Sequence, residues 1–406
     1  MKLVHKTVES PDWEIVERKC VHHPDTLADD LAETLSIAYS KYTLNEFGAV
    51  LHHNFDKTAI LGGATKVSYG GGELVKPVRV VLNGRASRSF GGTVIPLTDI
   101  LHGVVYDFFT ERFGDKVSKE KIRILHEVST SSSPGAVDNY SGEEDNPRHT
   151  WFAPRSLSDL PELKSLNCND TSAACYTPPN SALSRYVLDL DARIRSSAVN
   201  FDGRIGGDMK IMGVRRGESI SITVAVPLLA EKIHSIDEFF DTLSEVDKFI
   251  RADFESKNGD FKLDLMLNPL DNRKTGDVYL THTGSCMESG DEGVVGRGNR
   301  VGGLIRINRP MTMEGVAGKN PVYHTGKVLS AAAYEIMSGL FEPLEASLYL
   351  VGQRGKSLQN PWQVVLEAPA EYSAESALAV ENRSRAVLAD LSEVTRKILN
   401  REIRLY

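Results

Sequence analysis

The spacing of apolar residues in this chain changes repeatedly between the period of a helix and that of a strand, in three successive rounds. In the first round, Leu27, Leu31 and Leu35 share one face of a helix predicted over residues 26–46, which Asp25 is placed to cap. Strands are predicted over 59–61 and 78–82, and a second helix over 97–113. Because strands and helices mix without strict βαβ spacing, the pattern predicts an α+β fold with helices covering mixed, mostly antiparallel sheets.

The second and third rounds continue the same alternation, with approximate bounds of 1–128, 167–260 and 261–406 for the three rounds. The predicted elements are a helix over 181–196, a strand over 219–226, a helix over 236–254, strands over 262–267 and 278–283, a helix over 322–339, strands over 346–351 and 363–367, and a closing helix over 374–399. Residues 129–166, rich in Ser, Gly, Pro and acidic residues, are predicted to form a loop or insertion. Such a loop is either a lid or a plain surface excursion.

Composition excludes several classes of protein. The 406 residues allow two or three domain-sized units, and no apolar run approaches the roughly 18 residues of a membrane span. The polar start of the chain has no apolar stretch of a secretory signal, so a cytoplasmic protein is expected. The four cysteines form no CxxC pair, which argues against disulfides and a zinc site. A net charge of −8 argues against non-specific nucleic-acid binding.

The first candidate site is the segment 17–25, which ends in His23, Pro24 and Asp25 at the start of the first helix. A helix start favours anions such as phosphate, and a carboxylate beside it can hold Mg²⁺. In the alternative interpretation, Asp25 only caps the helix and His23 only packs.

The second candidate site is the glycine-rich segment 290–303, which carries Asp291, Arg297 and Arg300. Glycines allow backbone N–H groups to approach a ligand closely, and arginines clamp phosphate oxygens with paired donors. The segment matches neither a Walker A loop nor the GxGxxG pattern. The alternative is a glycine-rich turn between strands.

The third candidate site is the segment 317–327, in which Lys319 and Lys327 each follow a glycine near a predicted helix start. Alone, the segment also fits one solvated lysine and one glycine at a helix start. Together the three segments supply at least four cationic side chains and two acids in an acidic protein, which suits a polyphosphate bound with Mg²⁺. No Ser/His/Asp or Cys/His nucleophile motif is present.

These segments resemble the archaeal-type S-adenosylmethionine synthetases over most of the chain, from about Glu14 to the C-terminal region. The motifs that carry the resemblance are IVERK, HPD, LHHNFD, YGGGELVKP, NGRA, NDTS, MKIMG, GDEGVVGRGNRVGGLI and RPMTMEGVAGKNPVYHTGK. The resemblance implies a single unit of three similar, interlaced αβ subdomains around a pseudo-threefold axis. It also implies a homodimer or larger assembly with active sites at the interface, Mg²⁺, and usually a monovalent cation such as K⁺.

The implied activity is methionine adenosyltransfer: the methionine sulfur attacks C5′ of ATP, and the released triphosphate is hydrolysed to phosphate and diphosphate. A thioether has no proton to remove, so positioning and stabilisation of the leaving group dominate. The resemblance implies that His23 contacts ATP near the leaving oxygen, that Asp25 and Asp291 bind Mg²⁺, that Lys210, Arg297, Lys319 and Lys327 hold the triphosphate, that Glu17 and Asp170 orient methionine or the nucleoside, and that Asp56, Gly296, Arg300 and Asn320 contribute to binding ATP or methionine.

Some positions depart from the family pattern, and three alternatives remain open. The departures are Cys20, His22, Ala173, Ala174, Cys175, Tyr176, Ser184, Arg185, Met287 and Ser289. A small-for-large change near the thioether would favour a methionine analogue with a longer S-alkyl group, whereas conservative repacking would leave selectivity unchanged. The chain could also be a catalytically weak regulatory partner. A di-metal hydrolase is the third alternative, with His22, His23 and Asp25 as one ligand set and His52, His53 and Asp56 as the other.

Overall fold

The computed structural model describes residues 3–8, 12–130, 149–196, 201–338, 340 and 345–406. The strands are β1 (Leu3–Val8), β2 (Trp13–Lys19), β3 (His53–Asn54), β4 (Ala59–Leu61), β5 (Ala64–Ser68), β6 (Gly71–Lys76), β7 (Val78–Ala86), β8 (Ser89–Phe90), β9 (Thr93–Val94), β10 (Ile122–Ser129), β11 (Ser172–Tyr176), β12 (Lys210–Arg216), β13 (Ser219–Ala225), β14 (Leu228–Leu229), β15 (Lys262–Leu267), β16 (Leu280–Thr281), β17 (Gly293–Val294), β18 (Ile305–Arg306), β19 (Ser347–Gly352) and β20 (Gln363–Pro369). The helices are α1 (Pro24–Phe47), α2 (Leu97–Phe113), α3 (His149–Phe152), α4 (Pro161–Lys164), α5 (Ala182–Ser196), α6 (Ile236–Asn258), α7 (Thr325–Ser338), α8 (Ala374–Ala389) and α9 (Leu391–Leu399).

The larger sheets of the described chain share one plan. The first sheet has the order β10-β7-β4-β17, with β3 also paired to β7; the second is β15-β13-β12-β2-β18, and the third is β1-β20-β19-β11. In each sheet an antiparallel pair (β4 and β7, β12 and β13, β19 and β20) is flanked by one parallel edge strand, which is β10, β15 or β1. Most of the pairings between described strands are antiparallel, so the α+β prediction is confirmed.

Helices cover one face of each sheet and enclose a separate apolar core there. The first core joins α1 and α2 to the first sheet, the second joins α5 and α6 to the second sheet, and the third joins α7, α8 and α9 to the third sheet. Large side chains such as Phe109, Phe239 and Leu366 are almost completely buried in these cores. Each of the three larger sheets is therefore covered by its own helices. No helix of the described residues is long and apolar enough to cross a membrane.

The sheets exchange strands between rounds that are far apart in the chain. The third round lends β17 to the first sheet, and the N-terminal segment lends β2 to the second sheet and β1 to the third. The strand β11 precedes the helices of the second round but pairs with β19 of the third sheet. This exchange brings the sequence motifs of different rounds to shared sheet edges.

Several element predictions need correction. The first helix is capped by His23, not Asp25, because Pro24 takes the first helical position and the His23 ring accepts a hydrogen bond from the Asp25 N–H group. The predicted closing helix is two helices, since Asp390 leaves the helical conformation and caps α9 through its own side chain. The strand predicted over 278–283 is reduced to β16. Residues 131–148 of the predicted loop 129–166 lie outside the described residues; its described part includes α3 and α4.

Candidate active site

The first charged cluster comprises Glu17, Lys19, His23, Asp25, Lys210, Asp291 and Arg297. Glu17 and Lys19 end β2, and Lys210 begins the neighbouring β12, where it lies directly opposite Lys19. The Lys210 ammonium is 3.3 Å from Glu17 Oε1. The sheet therefore brings together residues that stand about 190 positions apart in the sequence.

Lys19 lies at the centre of this cluster, although no motif in the sequence indicated a role for it. Its Nζ lies 2.8 Å from Asp25 Oδ2 and donates to the carbonyl oxygen of Arg297 at 2.7 Å. The other Asp25 oxygen accepts the N–H of Val294 at 3.1 Å. An ammonium group between two oxygens marks a place where positive charge is favoured. Lys19 follows Glu17 by two positions in a strand, so the alternation of side chains could have placed it on the same face.

His23 and Asp291 complete the cluster. Burial, helped by the positive charge of Lys19, lowers the pKa of His23 to about 4, so its ring is neutral near pH 7. The charges of Asp25 and Asp291 act in the opposite direction and raise the pKa of His23, but burial outweighs them. Asp291 Oδ2 accepts a hydrogen bond from the Cys286 thiol at 3.1 Å. Two nearby carboxylates suit Mg²⁺, which usually takes one or two carboxylates together with substrate phosphates.

The glycine-rich segment packs against α1 rather than enclosing a ligand with its N–H groups. The N–H of Gly296 donates to Asp29 Oδ1 at 2.7 Å, and Arg300 donates to the Gly296 carbonyl at 2.7 Å. A Cβ atom at Gly293 would lie 1.9 Å from the carbonyl oxygen of Pro24, so only glycine permits this approach. The Arg297 side chain is exposed, and within the described part of the chain no hydrogen bond or ion pair engages its guanidinium. Its guanidinium is available to an anion.

A second charged cluster lies around the start of α7 and comprises Asp56, Asp170, Ser172, Glu314, Lys319 and His324. The Lys319 ammonium donates to Glu314 Oε1 and lies 3.8 Å from Asp56 Oδ2. The N–H of Asp170 donates to Thr325 Oγ1 at 3.3 Å, which ties the NDTS motif to the first turn of α7. Gly315 packs on Gly296, so the loop before Lys319 abuts the loop that carries Arg297.

Two residues predicted to bind substrate have their polar groups engaged inside the protein. Lys327 is completely buried, and its Nζ contacts both oxygens of Glu33, at 2.7 and 2.6 Å, and the carbonyl oxygen of Lys319 at 2.8 Å. Asn320 is completely buried and donates from its side-chain amide to the Leu51 carbonyl oxygen. Both residues hold the Lys319 segment in place, because their bonds join it to α1 and to the chain before β3.

A cavity of about 190 Å³ adjoins the second cluster. Its lining residues are His52, Trp151, Leu160, Pro161, Glu162, Ser165, Asn167, Cys168, Asn169, Tyr323, Arg354 and Gly355. The rings of His52 and Trp151 are 5.5 Å apart and tilted by 34°, so they do not form parallel walls. The adjacent Asn169 side chain accepts the Thr325 N–H at 2.9 Å. The cavity offers an apolar wall with a carboxylate and a guanidinium at its rim.

The residues that depart from the family pattern do not line this cavity within the described chain. Ala174 and Met287 are buried in the third and first cores. The His22 ring lies 4.8 Å from the Phe113 ring at the end of α2, and its Nδ1 is buried against Gly207. The burial of Ala174 and Met287 fits repacking of the cores, whereas Cys175 and Tyr176 line a smaller pocket together with Arg300.

The ligand sets of a di-metal hydrolase do not form. His53 Nε2 pairs with Ser36 Oγ at 2.8 Å and its Nδ1 with the Leu51 carbonyl oxygen, whereas His52 pairs with the Tyr323 hydroxyl. The described residues contain no group of three or more His, Cys, Asp or Glu side chains arranged to hold a metal ion. Because both ring nitrogens of His53 are engaged, neither is free for a metal ion.

Comparison with known proteins gives consistent matches. The family model for S-adenosylmethionine synthetase (AdoMet synthetase) matches residues 1–146 and 155–402. The chain is similar to the S-adenosylmethionine synthase of Aeropyrum pernix, with 33% identity over 98% of this chain and 97% of the relative, and to that of Haloarcula marismortui, with 31% identity over 98% and 96%. Its fold is similar to an unusual S-adenosylmethionine synthetase from Campylobacter jejuni, with a TM-score of 0.54 and 14% identity over 96% of this chain and 88% of that one.

Proposed function

The chain belongs to the S-adenosylmethionine synthetase family, and we infer from this that it is a methionine adenosyltransferase, which joins ATP and methionine into S-adenosylmethionine. The observation that carries the assignment to a site is the first charged cluster, in which three carboxylates are combined with the cations Lys19, Lys210 and Arg297. Cations and acids in this arrangement suit a triphosphate leaving group with its metal ion.

We propose the following roles for the residues of the two charged clusters. Arg297, Lys210 and Lys319 bind the triphosphate, and Lys19 and His23 lie where the leaving oxygen develops charge. Asp25 and Asp291 would hold Mg²⁺, which when bound would neutralise charge on the phosphates. Glu17, Asp56, Asp170 and Arg300 orient the substrates or the loops that touch them. A neutral His23 can donate one hydrogen bond to the leaving oxygen without requiring a charged ring.

The direct test is an assay of the purified chain with ATP, methionine, Mg²⁺ and K⁺. We expect S-adenosylmethionine, phosphate and diphosphate in equal amounts, measured by mass spectrometry and phosphate release. Excess EDTA should abolish the reaction, and excess Mg²⁺ should restore it. No product from this chain alone, but product after addition of an active relative, would instead support the regulatory-partner alternative.

We propose that the protein is a dimer formed on the open face of the second sheet. The helices α5 and α6 cover only one face of that sheet. The opposite face carries the exposed side chains of Trp13 and Met266 at 43% and 52% exposure, together with Glu17 and Lys210 of the first cluster. The half-buried side chains of Ile15, Met212 and Val214 lie between them on the same face. A run of partly exposed apolar side chains on one face is typical of an interaction surface. A dimer on this face would place the active sites at the interface.

We expect light scattering to show a dimer at assay concentrations, and Trp13→Glu to weaken dimerisation and activity together, because a charge would be buried in the interface. The matched control is Leu270→Glu, which changes a side chain that is 91% exposed in a turn. A fully active monomer, or a Trp13→Glu variant that is dimeric and active, would contradict this arrangement.

We propose that the cavity beside the second cluster receives methionine. The His52 and Trp151 rings are tilted, and the parallel rings of His52 and Tyr323 are only 5.7 Å apart, too close for a flat adenine ring to enter between them. A flexible thioether, in contrast, makes favourable contacts with ring edges. Glu162 and Arg354 at the rim suit the ammonium and carboxylate groups of an amino acid.

Trp151→Ala is expected to raise KM for methionine by roughly 10–200-fold, the range for loss of an apolar contact in a pocket. KM for ATP should change little. The two values are separated by steady-state kinetics at saturating levels of the other substrate. An increase confined to ATP would assign the cavity to the nucleoside.

A separate measurement tests whether the substrate is a methionine analogue with a longer S-alkyl group. It is the ratio of kcat/KM for methionine to kcat/KM for ethionine in the parent protein.

A further inference from the structure

Glu314 is the closest partner of Lys319, yet the family-level interpretation gives it no role. Its Oε1 accepts a hydrogen bond from the Lys319 ammonium, and its Oε2 accepts one from Ser172 Oγ at 2.7 Å. His324 Nε2 is 3.9 Å from Oε1. The carboxylate is therefore surrounded by donors and positive charge on several sides.

The same carboxylate lies against the first turn of α7. A Cβ atom built at Gly326 would be only 1.7 Å from Glu314 Oε2, so the absence of a side chain at this position leaves room for the acid. The N-terminus of a helix of 14 residues carries partial positive charge. Burial alone would raise the pKa of Glu314, but the hydrogen bonds from Lys319 and Ser172 outweigh it and hold the pKa below its usual range.

An ammonium, a hydroxyl and a helix start are the set of donors that binds a phosphate oxygen. In this structure the set is satisfied by an acid of the protein itself. The Lys319 side chain is only 8% exposed, whereas that of Glu314 is 28% exposed, so the acid lies on the solvent side of the pair. A triphosphate that approaches from solvent meets the carboxylate before the ammonium.

We propose that Glu314 occupies, in the absence of substrate, the position of a substrate oxyanion, and that it must release Lys319 before the triphosphate binds. This inference rests on the proposed function, because it takes Lys319 as a ligand of the triphosphate. Glu314 is then a gating residue: it neutralises a nearly buried cation when ATP is absent and lowers the affinity for polyphosphate through competition. The apparent affinity falls by the fraction of molecules in which Lys319 is released.

The test uses inorganic tripolyphosphate with Mg²⁺ and the full-length protein, with binding measured by isothermal titration calorimetry. Glu314→Gln keeps the size of the side chain and removes its charge. We expect this variant to bind tripolyphosphate roughly tenfold more tightly than the parent. The charge-matched control is Glu381→Gln, which removes an acid paired with Arg385 on the surface of α8 and should leave the affinity unchanged.

A second variant keeps the proposal testable if Glu314→Gln does not fold. Glu314→Ala removes the carboxylate and leaves the donors of Lys319, Ser172 and the start of α7 in place, so it should also tighten tripolyphosphate binding, by roughly tenfold. Weaker or unchanged binding by Glu314→Gln, with the parent still producing S-adenosylmethionine, overturns the gating role alone. Failure of the parent to bind tripolyphosphate and to form product overturns the gating role and the proposed function together.

Discussion

Replacing Lys319 by methionine is expected to lower kcat for S-adenosylmethionine formation by about 10²–10³-fold, the usual cost of removing one preorganised donor to a charge that develops in the transition state. The ammonium of Lys319 is held in place by Glu314 and Asp56. Its carbonyl oxygen accepts hydrogen bonds from Lys327 Nζ and Ser36 Oγ, which fix the backbone. A methionine side chain has similar length and keeps the packing while it removes the charge. Because Glu314 is partly exposed, its loss of a partner should cost little stability.

The measurement is kcat at saturating ATP and methionine, together with a thermal denaturation curve for each protein. The matched control is Lys6→Met. It removes an exposed positive charge on β1 that pairs with Glu367 of β20. That variant should retain parental kcat. A Lys319→Met protein whose turnover stays within about threefold of the parent would remove Lys319 from the catalytic group.

Local sequence pattern was sufficient for elements within one contiguous apolar segment and insufficient for two-residue strands that need a distant partner. The predicted bounds of β4, α2 and β15 agree with the structure, because their apolar spacing belongs to one contiguous segment packed on one core. In contrast, β17 and β18 contain two residues each and exist only because partners from β4 and β2 reach them. Such pairings depend on tertiary placement, which local propensity does not contain.

The same distinction between local pattern and tertiary placement applies to the candidate site. His23, Asp25 and Asp291 were identified as types of residue that suit phosphate and metal, and the structure brings them together across about 270 positions of sequence. Glu314 was missed, because its role depends on Lys319, Ser172 and the start of α7 meeting in space. In the sequence, Lys319 and Lys327 are indistinguishable, because each follows a glycine near a predicted helix start. Their partners separate them: Lys327 pairs with the buried Glu33, whereas Lys319 pairs with the partly exposed Glu314. The motif does not contain these partners.

Lys327→Met is therefore expected to act on stability and to lower the free energy of unfolding by roughly 3–5 kcal/mol, the cost of leaving a buried charge without its partner. The Lys327 side chain is completely buried, and that of Glu33 is 3% exposed. The three ammonium protons are matched by three acceptors: both Glu33 oxygens and the Lys319 carbonyl oxygen. No proton remains for a phosphate. The role that the resemblance implies, direct binding of the triphosphate by Lys327, therefore requires the Lys327–Glu33 pair to separate first. Urea denaturation gives the free energy and the m-value for each variant.

A double variant distinguishes a buried-charge effect from simple loss of packing. Glu33→Gln with Lys327→Met removes both charges and keeps an acceptor for the Gly318 N–H, which donates to Glu33 Oε2 at 2.9 Å. It should recover most of the lost stability, because a neutral pair no longer requires a counter-charge. Loss of catalysis in a folded Lys327→Met protein, with stability within about 1 kcal/mol of the parent, would instead assign the ammonium to the triphosphate. Since Lys327 also holds the Lys319 backbone, recovery of stability in the double variant without recovery of kcat would show that its positioning of Lys319 matters to the reaction.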